Sequence, residues 1–193
     1  MLRICVFCGS NTGRGDVYMK AGYEFGAMIA KRGMGVVYGG ARDGLMGAVA
    51  NGALEAGGEV IGVLPKQLFD LEQAHENLTD LRVVNSMHER KQIMHELSSS
   101  FVSMPGGIGT MEEMFEVWTW TQLGVHRKPL ALYNVNGFYD ALETFLDAMV
   151  SEGFVKEVHR GMTITGKDPE KLLDDLLSYE PPLVKKWLKP EER

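Results

Sequence analysis

The sequence predicts a single α/β domain: a doubly wound, Rossmann-like parallel sheet with helices on both faces. Three observations carry that prediction. Short β-branched runs alternate with stretches of helical periodicity, the pattern that βαβ crossovers produce. The runs are apolar nearly throughout instead of alternating, as strands covered on both faces require. With 193 residues, 45% of them hydrophobic, the chain can fill one sizeable core and is short for two.

Taken in order, the first strand is Arg3–Gly9 (RICVFCG) and the first helix Val17–Arg32. Gly35–Gly39 (GVVYG) precedes a helix over Leu45–Ala56; Glu59–Leu64 (EVIGVL) and Leu81–Val84 (LRVV) follow as strands. Ser86 and Glu89 have capping-box spacing at the start of a helix over His88–Leu97. Phe101–Met104 (FVSM) leads into a helix over Thr110–Leu123, for which Thr110 is the expected N-cap and Glu113 its capping-box partner. Pro129–Tyr133, a helix over Phe138–Glu152, a short strand Met162–Thr165 and a helix Pro169–Ser178 capped by Asp168 complete the pattern. The domain is expected over residues 1–180, with 181–193 as a C-terminal tail.

Composition excludes several classes of function. A net charge of -6 argues against affinity for nucleic acid polymers or acidic membranes. The opening MLRICVFCGS is too short in its apolar part for a signal sequence, and no stretch approaches the roughly 20 apolar residues of a membrane span. A cytoplasmic location is therefore expected. Cys5 and Cys8 form a C-x-x-C, but inside a strand they point to opposite faces and are expected as two buried small hydrophobes. The five histidines lack ligand spacing, since HERKQ has no second His for H-E-x-x-H. Neither a metal nor a cofactor is expected.

In a doubly wound sheet, ligands bind beyond the carboxyl ends of the strands, where the strand order reverses. The loops there are unusual: GSNTGRGD with Gly9 and Ser10, GGARDGLMG with Gly39, Gly40 and Met46, and PGGIGT with Gly106, Gly107 and Gly109. Glycine lets an anion approach backbone N–H groups, and the following helix adds a partial positive charge. Such loops also serve as tight turns, and neither G-x-G-x-x-G nor a P-loop ending is present. Two acidic residues, Glu112 and Glu113, sit beside this anion-friendly loop, which suits a ligand that is more than a phosphate. Arg90 and Lys91 lie near a helix start, where the dipole opposes cations. That placement is easier to understand if each meets an anion or a carboxylate.

Pro105–Glu113 (PGGIGTMEE) fits P-G-G-x-G-T-x-x-E, and MHERK, VYGGARDGLMG, CGS and WTWTQLGVHRKP occur in matching order. Over roughly Arg3–Gly166 the chain resembles the Lonely Guy (LOG) family of cytokinin riboside 5′-monophosphate phosphoribohydrolases. Asn11-Thr12 departs from the serine-rich wording that often follows CGS. The resemblance implies hydrolysis of the N-glycosidic bond of a purine nucleoside 5′-monophosphate to base and ribose 5-phosphate, with neither cofactor nor metal. It implies catalytic roles for Arg90 and Glu113. Substrate contacts carry over to Glu72, Arg90, Lys91, Gly106, Gly107, Ile108, Gly109, Thr110, Met111, Glu112 and Thr119, with Gly9, Ser10, Gly39, Gly40 and Met46 as further loop candidates. The chemistry is compatible, because cleavage at C1′ passes through an oxocarbenium-like state that a carboxylate stabilises.

A homodimer is also implied, and Phe115, Trp118 and Trp120 are candidates either for its interface or for the monomer core. Two alternatives are a nucleotide or molybdenum-cofactor carrier on the same fold, and the pyridoxal-phosphate decarboxylase suggested by the label "lysine decarboxylase" on relatives. The latter needs a Schiff-base lysine, and Lys91 is the only lysine suggestively placed.

Overall fold

In a computed structural model that describes residues 1–69, 73–180 and 182, every expected strand forms. They are β1 (Arg3–Phe7), β2 (Gly35–Tyr38), β3 (Val60–Pro65), β4 (Asp80–Val84), β5 (Ser100–Ser103), β6 (Leu130–Tyr133) and β7 (Thr163–Gly166). All pair parallel in one sheet of order β4-β3-β2-β1-β5-β6-β7. Cys5 in β1 stands in register with Val37 on one side and Phe101 on the other. Strand order reverses between β1 and β5, so that is where the loops open a crevice.

The helices are α1 (Val17–Lys31), α2 (Gly44–Glu55), α3 (Lys66–Phe69), α4 (Met87–Leu97), α5 (Ile108–Leu123), α6 (Asp140–Ser151), α7 (Glu157–Arg160) and α8 (Pro169–Ser178), with a 3-10 turn at Val135–Gly137. Strand alternation sorts them into two layers. Ile4, Val6 and Cys8 face one core with Phe25 and Ile29 of α1, Val49 of α2 and Leu173 of α8. Cys5 and Phe7 face the other with Met94 of α4, Met114 and Trp118 of α5 and Leu146 of α6. The two cysteines are free, buried and on opposite faces, as the strand pleat dictates.

Local chemistry sets the helix ends. Asp168 accepts a hydrogen bond from the Lys171 N–H (3.0 Å) ahead of Pro169, which fixes the start of α8. Ser86 Oγ accepts from the Glu89 N–H (3.1 Å), while the Glu89 carboxylate accepts from the Asn85 N–H (2.7 Å), one residue before the cap. Gly124, at φ 76, ends α5 in the left-handed conformation.

One expected start is corrected. Gly107, not Thr110, is the N-cap of α5, with extended backbone (φ -92, ψ -159), so Thr110 is already the third helical residue and cannot cap with Glu113. Glycine is an acceptable N-cap, and placing it there lets the helix begin inside the glycine loop. The expected helix over Phe138–Glu152 forms as α6, two residues shorter at its start, and a 3-10 turn in which Asn136 takes positive φ (51) precedes it. The short helices α3 and α7 are additions to the expected pattern. Edge strand β4 is largely exposed and carries an Asp80–Arg82 pair (3.0 Å), charges that discourage pairing with another sheet. Of the tail 181–193, all but Pro182 lies outside the described residues.

Candidate active site

The loops after β1 and β5 meet at the switch point, where the Gly9 N–H donates to the Pro105 carbonyl (3.1 Å). The start of α2 joins them through the Met46 N–H, which donates to the Gly9 carbonyl (3.3 Å). A Cβ on Gly106 would strike the Thr110 side chain and approach the Gly9 nitrogen to 2.8 Å, so this close meeting of loops demands glycine. A Cβ on Gly107 would meet nothing within 4 Å. Its glycine character serves open space, and that space is a cavity of about 420 Å³.

The amino ends of α1, α2 and α5 all reach this cavity, through Tyr18, Leu45 and Met46, and Ile108 to Thr110. None of the three has a side-chain cap or an acidic residue in its first turn. By contrast α4, α6 and α8 carry Glu89, Asp140 with Glu143, and Glu170 there. The start of α5, with Gly107 as its N-cap and no acid in its first turn, makes the cavity favourable for an anion, whereas α1 and α2 open with Asp16 and Asp43 at their N-cap positions.

Arg90 occupies the wall beneath β2 and β3. It is 6% exposed, with Nε donating to the Val63 carbonyl (3.1 Å) and Nη2 to the Gly39 carbonyl (3.1 Å). A side chain at position 39 would collide with that guanidinium. The awkward place of a cation near a helix start is thus resolved by carbonyls at the ends of two strands. Glu113, half-buried on α5, lines the same cavity. Both groups act on the thiol of Cys8: burial and the Glu113 charge raise its pKa, and Arg90 opposes them. The carboxylate and the guanidinium therefore both lie within electrostatic reach of the end of β1.

Lys91 points elsewhere. Its ammonium sits between Glu112 (2.6 Å) and Glu116 (2.9 Å), outside the cavity wall. Burial alone would lower its pKa, but the hydrogen bonds it donates to Glu112 and Glu116, with their charges, outweigh that and raise it. A lysine held as an ammonium between two carboxylates is poorly disposed to form a Schiff base, which needs the neutral amine.

Most expected site residues come together: Gly9, Ser10, Gly39, Met46 and Arg90, the run Gly106–Thr110, and both Glu112 and Glu113 line the cavity. Others do not. Gly40 forms a turn at φ +86 whose carbonyl accepts from the His75 N–H (3.0 Å), Met111 packs against the core, and Thr119 is exposed further along α5. Glu72 lies outside the described residues. Sequence reasoning missed Tyr18 and Phe138, which also line the cavity. The signal available was that each follows a strand end across a glycine-containing turn. Among the described residues, no group of three or more His, Cys, Asp or Glu is arranged to hold a metal ion.

A Rossmann-like sheet whose switch-point cavity joins an uncapped helix start to a buried arginine and a glutamate defines a class, the α/β proteins suited to a small phosphorylated ligand. Comparison narrows it. The family model described as "Possible lysine decarboxylase" matches residues 46–176. The chain is 45% identical over 179 residues to the cytokinin riboside 5′-monophosphate phosphoribohydrolase LOG of Oryza sativa subsp. japonica, covering 93% of this chain and 74% of that protein. It is 42% identical to LOG7 of Arabidopsis thaliana, covering 93% and 82%. The chain belongs to the Lonely Guy (LOG) family of phosphoribohydrolases. Among solved structures, the molybdenum cofactor binding protein of Rippkaea orientalis matches with TM-score 0.70 at 21% identity, covering 92% of this chain and 96% of that one. A Moco carrier protein of Chlamydomonas reinhardtii matches with TM-score 0.69 at 23% identity, covering 92% and 98%. At these identities the likeness is one of fold.

Proposed function

We propose that the protein hydrolyses the N-glycosidic bond of purine nucleoside 5′-monophosphates, AMP or its N6-modified cytokinin-type derivatives, to free base and ribose 5-phosphate. The observation that carries this reading is the convergence of Arg90, Glu113 and the uncapped start of α5 on one cavity. The 5′-phosphate takes the free N–H groups at Gly107 to Gly109. Glu113, the sixth residue of α5, then faces the ribose, where its carboxylate stabilises positive charge at C1′ or activates the attacking water. Arg90, fixed by two carbonyls, supplies a positive charge to orient Glu113 or to favour departure of the base. Water adds its hydroxyl to C1′, the C1′–N bond breaks, and the base leaves with the remaining proton.

Glu112, which lines the cavity and pairs with Lys91, completes the reading as a contact nearer the rim, while Lys91 and Thr119 stand off the cavity wall. Homodimerisation and a cytoplasmic location belong to the same reading. Trp118 is buried, with Nε1 donating to the His159 carbonyl (3.0 Å), and Phe115 stacks on it. The exposed Leu123, Val125, Phe154 and Val158 are therefore the better candidates for a subunit interface. Light scattering of the purified protein tests the dimer. Two free, buried thiols fit a reducing compartment.

The decisive experiment is a panel of AMP, N6-prenyl-AMP and other nucleoside monophosphates, with released base quantified over time. Tight nucleotide binding without base release would instead establish a carrier.

A further inference from the structure

Resting on the phosphate placement above, we propose that Tyr18 and Phe138 form an aromatic clasp that limits the 5′ substituent to a single phosphate, so that nucleoside diphosphates and triphosphates are excluded. The sheet order fixes the sequence of groups along the cavity. Arg90 hangs from the carboxyl ends of β2 and β3, the glycine loops after β1 and β5 lie in the middle, and Phe138 follows β6 on the far side. A nucleotide with its phosphate on the middle loops and C1′ toward Glu113 and Arg90 extends its base to the Arg90 side. The outer oxygens of its phosphate then face β6.

What stands there is apolar and firmly mounted. The Tyr18 and Phe138 rings meet edge to face, with centroids 6.1 Å apart at 79°. Phe138 leans on Tyr139 (5.1 Å, 83°), which is buried, donates its hydroxyl to the Met104 carbonyl (2.7 Å) and donates its N–H to Asn134 Oδ1 (2.8 Å). Tyr18 lies close beneath Gly13, whose φ of +74 brings the backbone over its ring. Electrostatics points the same way. Among the described residues that line the cavity, Arg90 is the sole lysine or arginine, and it is held at the opposite end; Arg14, exposed on the loop after β1, is outside the wall. Sites for β- and γ-phosphates surround them with lysine, arginine or metal ions, and this end offers aromatic rings.

The test compares kcat/KM for AMP and ADP, with base release followed chromatographically, in the unmodified protein, Phe138→Ala and Phe138→Tyr. Phe138 is 42% exposed, so its truncation leaves the core in place, and circular dichroism checks the fold. AMP is expected to exceed ADP by about a hundredfold in the unmodified protein. Phe138→Ala should lower that ratio at least about tenfold through gained ADP turnover, and Phe138→Tyr should preserve it. A ratio near one in the unmodified protein, or an unchanged ratio in folded Phe138→Ala, overturns the clasp. If no monophosphate is turned over, the hydrolase reading fails separately. The clasp is then judged by calorimetric Kd values for AMP and ADP, where the same shift is expected and its absence, or absence of binding, overturns the proposal.

Discussion

Glu113 places a carboxylate in the cavity wall that Arg90 shares. Glu113→Gln keeps the side chain's shape while removing the negative charge from the cavity wall, the charge proposed to act at C1′. Turnover of AMP should fall by about 10²–10³-fold with little change in nucleotide affinity, measured by steady-state kinetics and calorimetry. Neighbouring glycines should fail in different ways. Gly106→Ala pushes a methyl group into Thr110 and should cost roughly 1–3 kcal/mol in urea unfolding. Gly107→Val enters open space, so stability should change by about 1 kcal/mol or less, while binding of the monophosphate weakens far more than binding of the riboside. Both glycines were legible in the sequence as loop residues; which one serves the protein and which the ligand depends on a Cβ direction that sequence does not carry. Tyr18 and Phe138 escaped notice because an aromatic at a helix start reads as core until the neighbouring loops are placed.

The starts of α5 at the cavity and of α4 away from its glycine loops are built differently. The uncapped start of α5 leaves donors for a ligand, whereas α4 satisfies its own through Ser86. Ser86→Ala should cost about 1 kcal/mol of stability in chemical denaturation, because it leaves the Glu89 N–H without its acceptor. Strand boundaries were readable to within a residue or two, since β-branched apolar runs bounded by glycine have few other uses. The short α3 and α7 were not, because four residues contain too little periodicity to register. The start of α5 misled for a physical reason: threonine has a hydroxyl that can accept from a helix N–H and glycine has none, and a loop that presents bare N–H groups has no use for that acceptor.

For the molecule as a whole, buried and partly buried histidines contribute to the response to acid, His126 the most shifted among them. His126 Nε2 donates to the Val117 carbonyl (3.1 Å) and Nδ1 accepts from the Lys128 N–H (3.1 Å), a pairing available only to the neutral ring. Burial, with His95 and Lys128 nearby, lowers its pKa to about 4, against the opposing pull of the Val117 carbonyl. The unfolded chain, titrating near 6.5, binds more protons than the native state between those values. Stability should thus be fully present above about pH 6.5 and decline as pH falls toward 4. Urea unfolding across that range should show the decline, and His126→Gln should make it shallower, with His75 and His95, whose pKa values burial also lowers, carrying the remainder. The overall α/β order was legible because each strand and helix announces itself locally. The cluster of His95, His126 and Lys128 was not, since it joins α4 to the segment after α5 and exists only once they pack.

The division of Cys5 and Cys8 between the two faces of β1 gives the protein an internal footprinting label. Cys8 borders the cavity while Cys5 is sealed in the opposite core. Alkylation by a small thiol reagent, followed residue by residue in a mass spectrometer, should be slow at both positions. Saturating nucleotide should retard it further at Cys8 than at Cys5, reporting occupancy without any engineered probe.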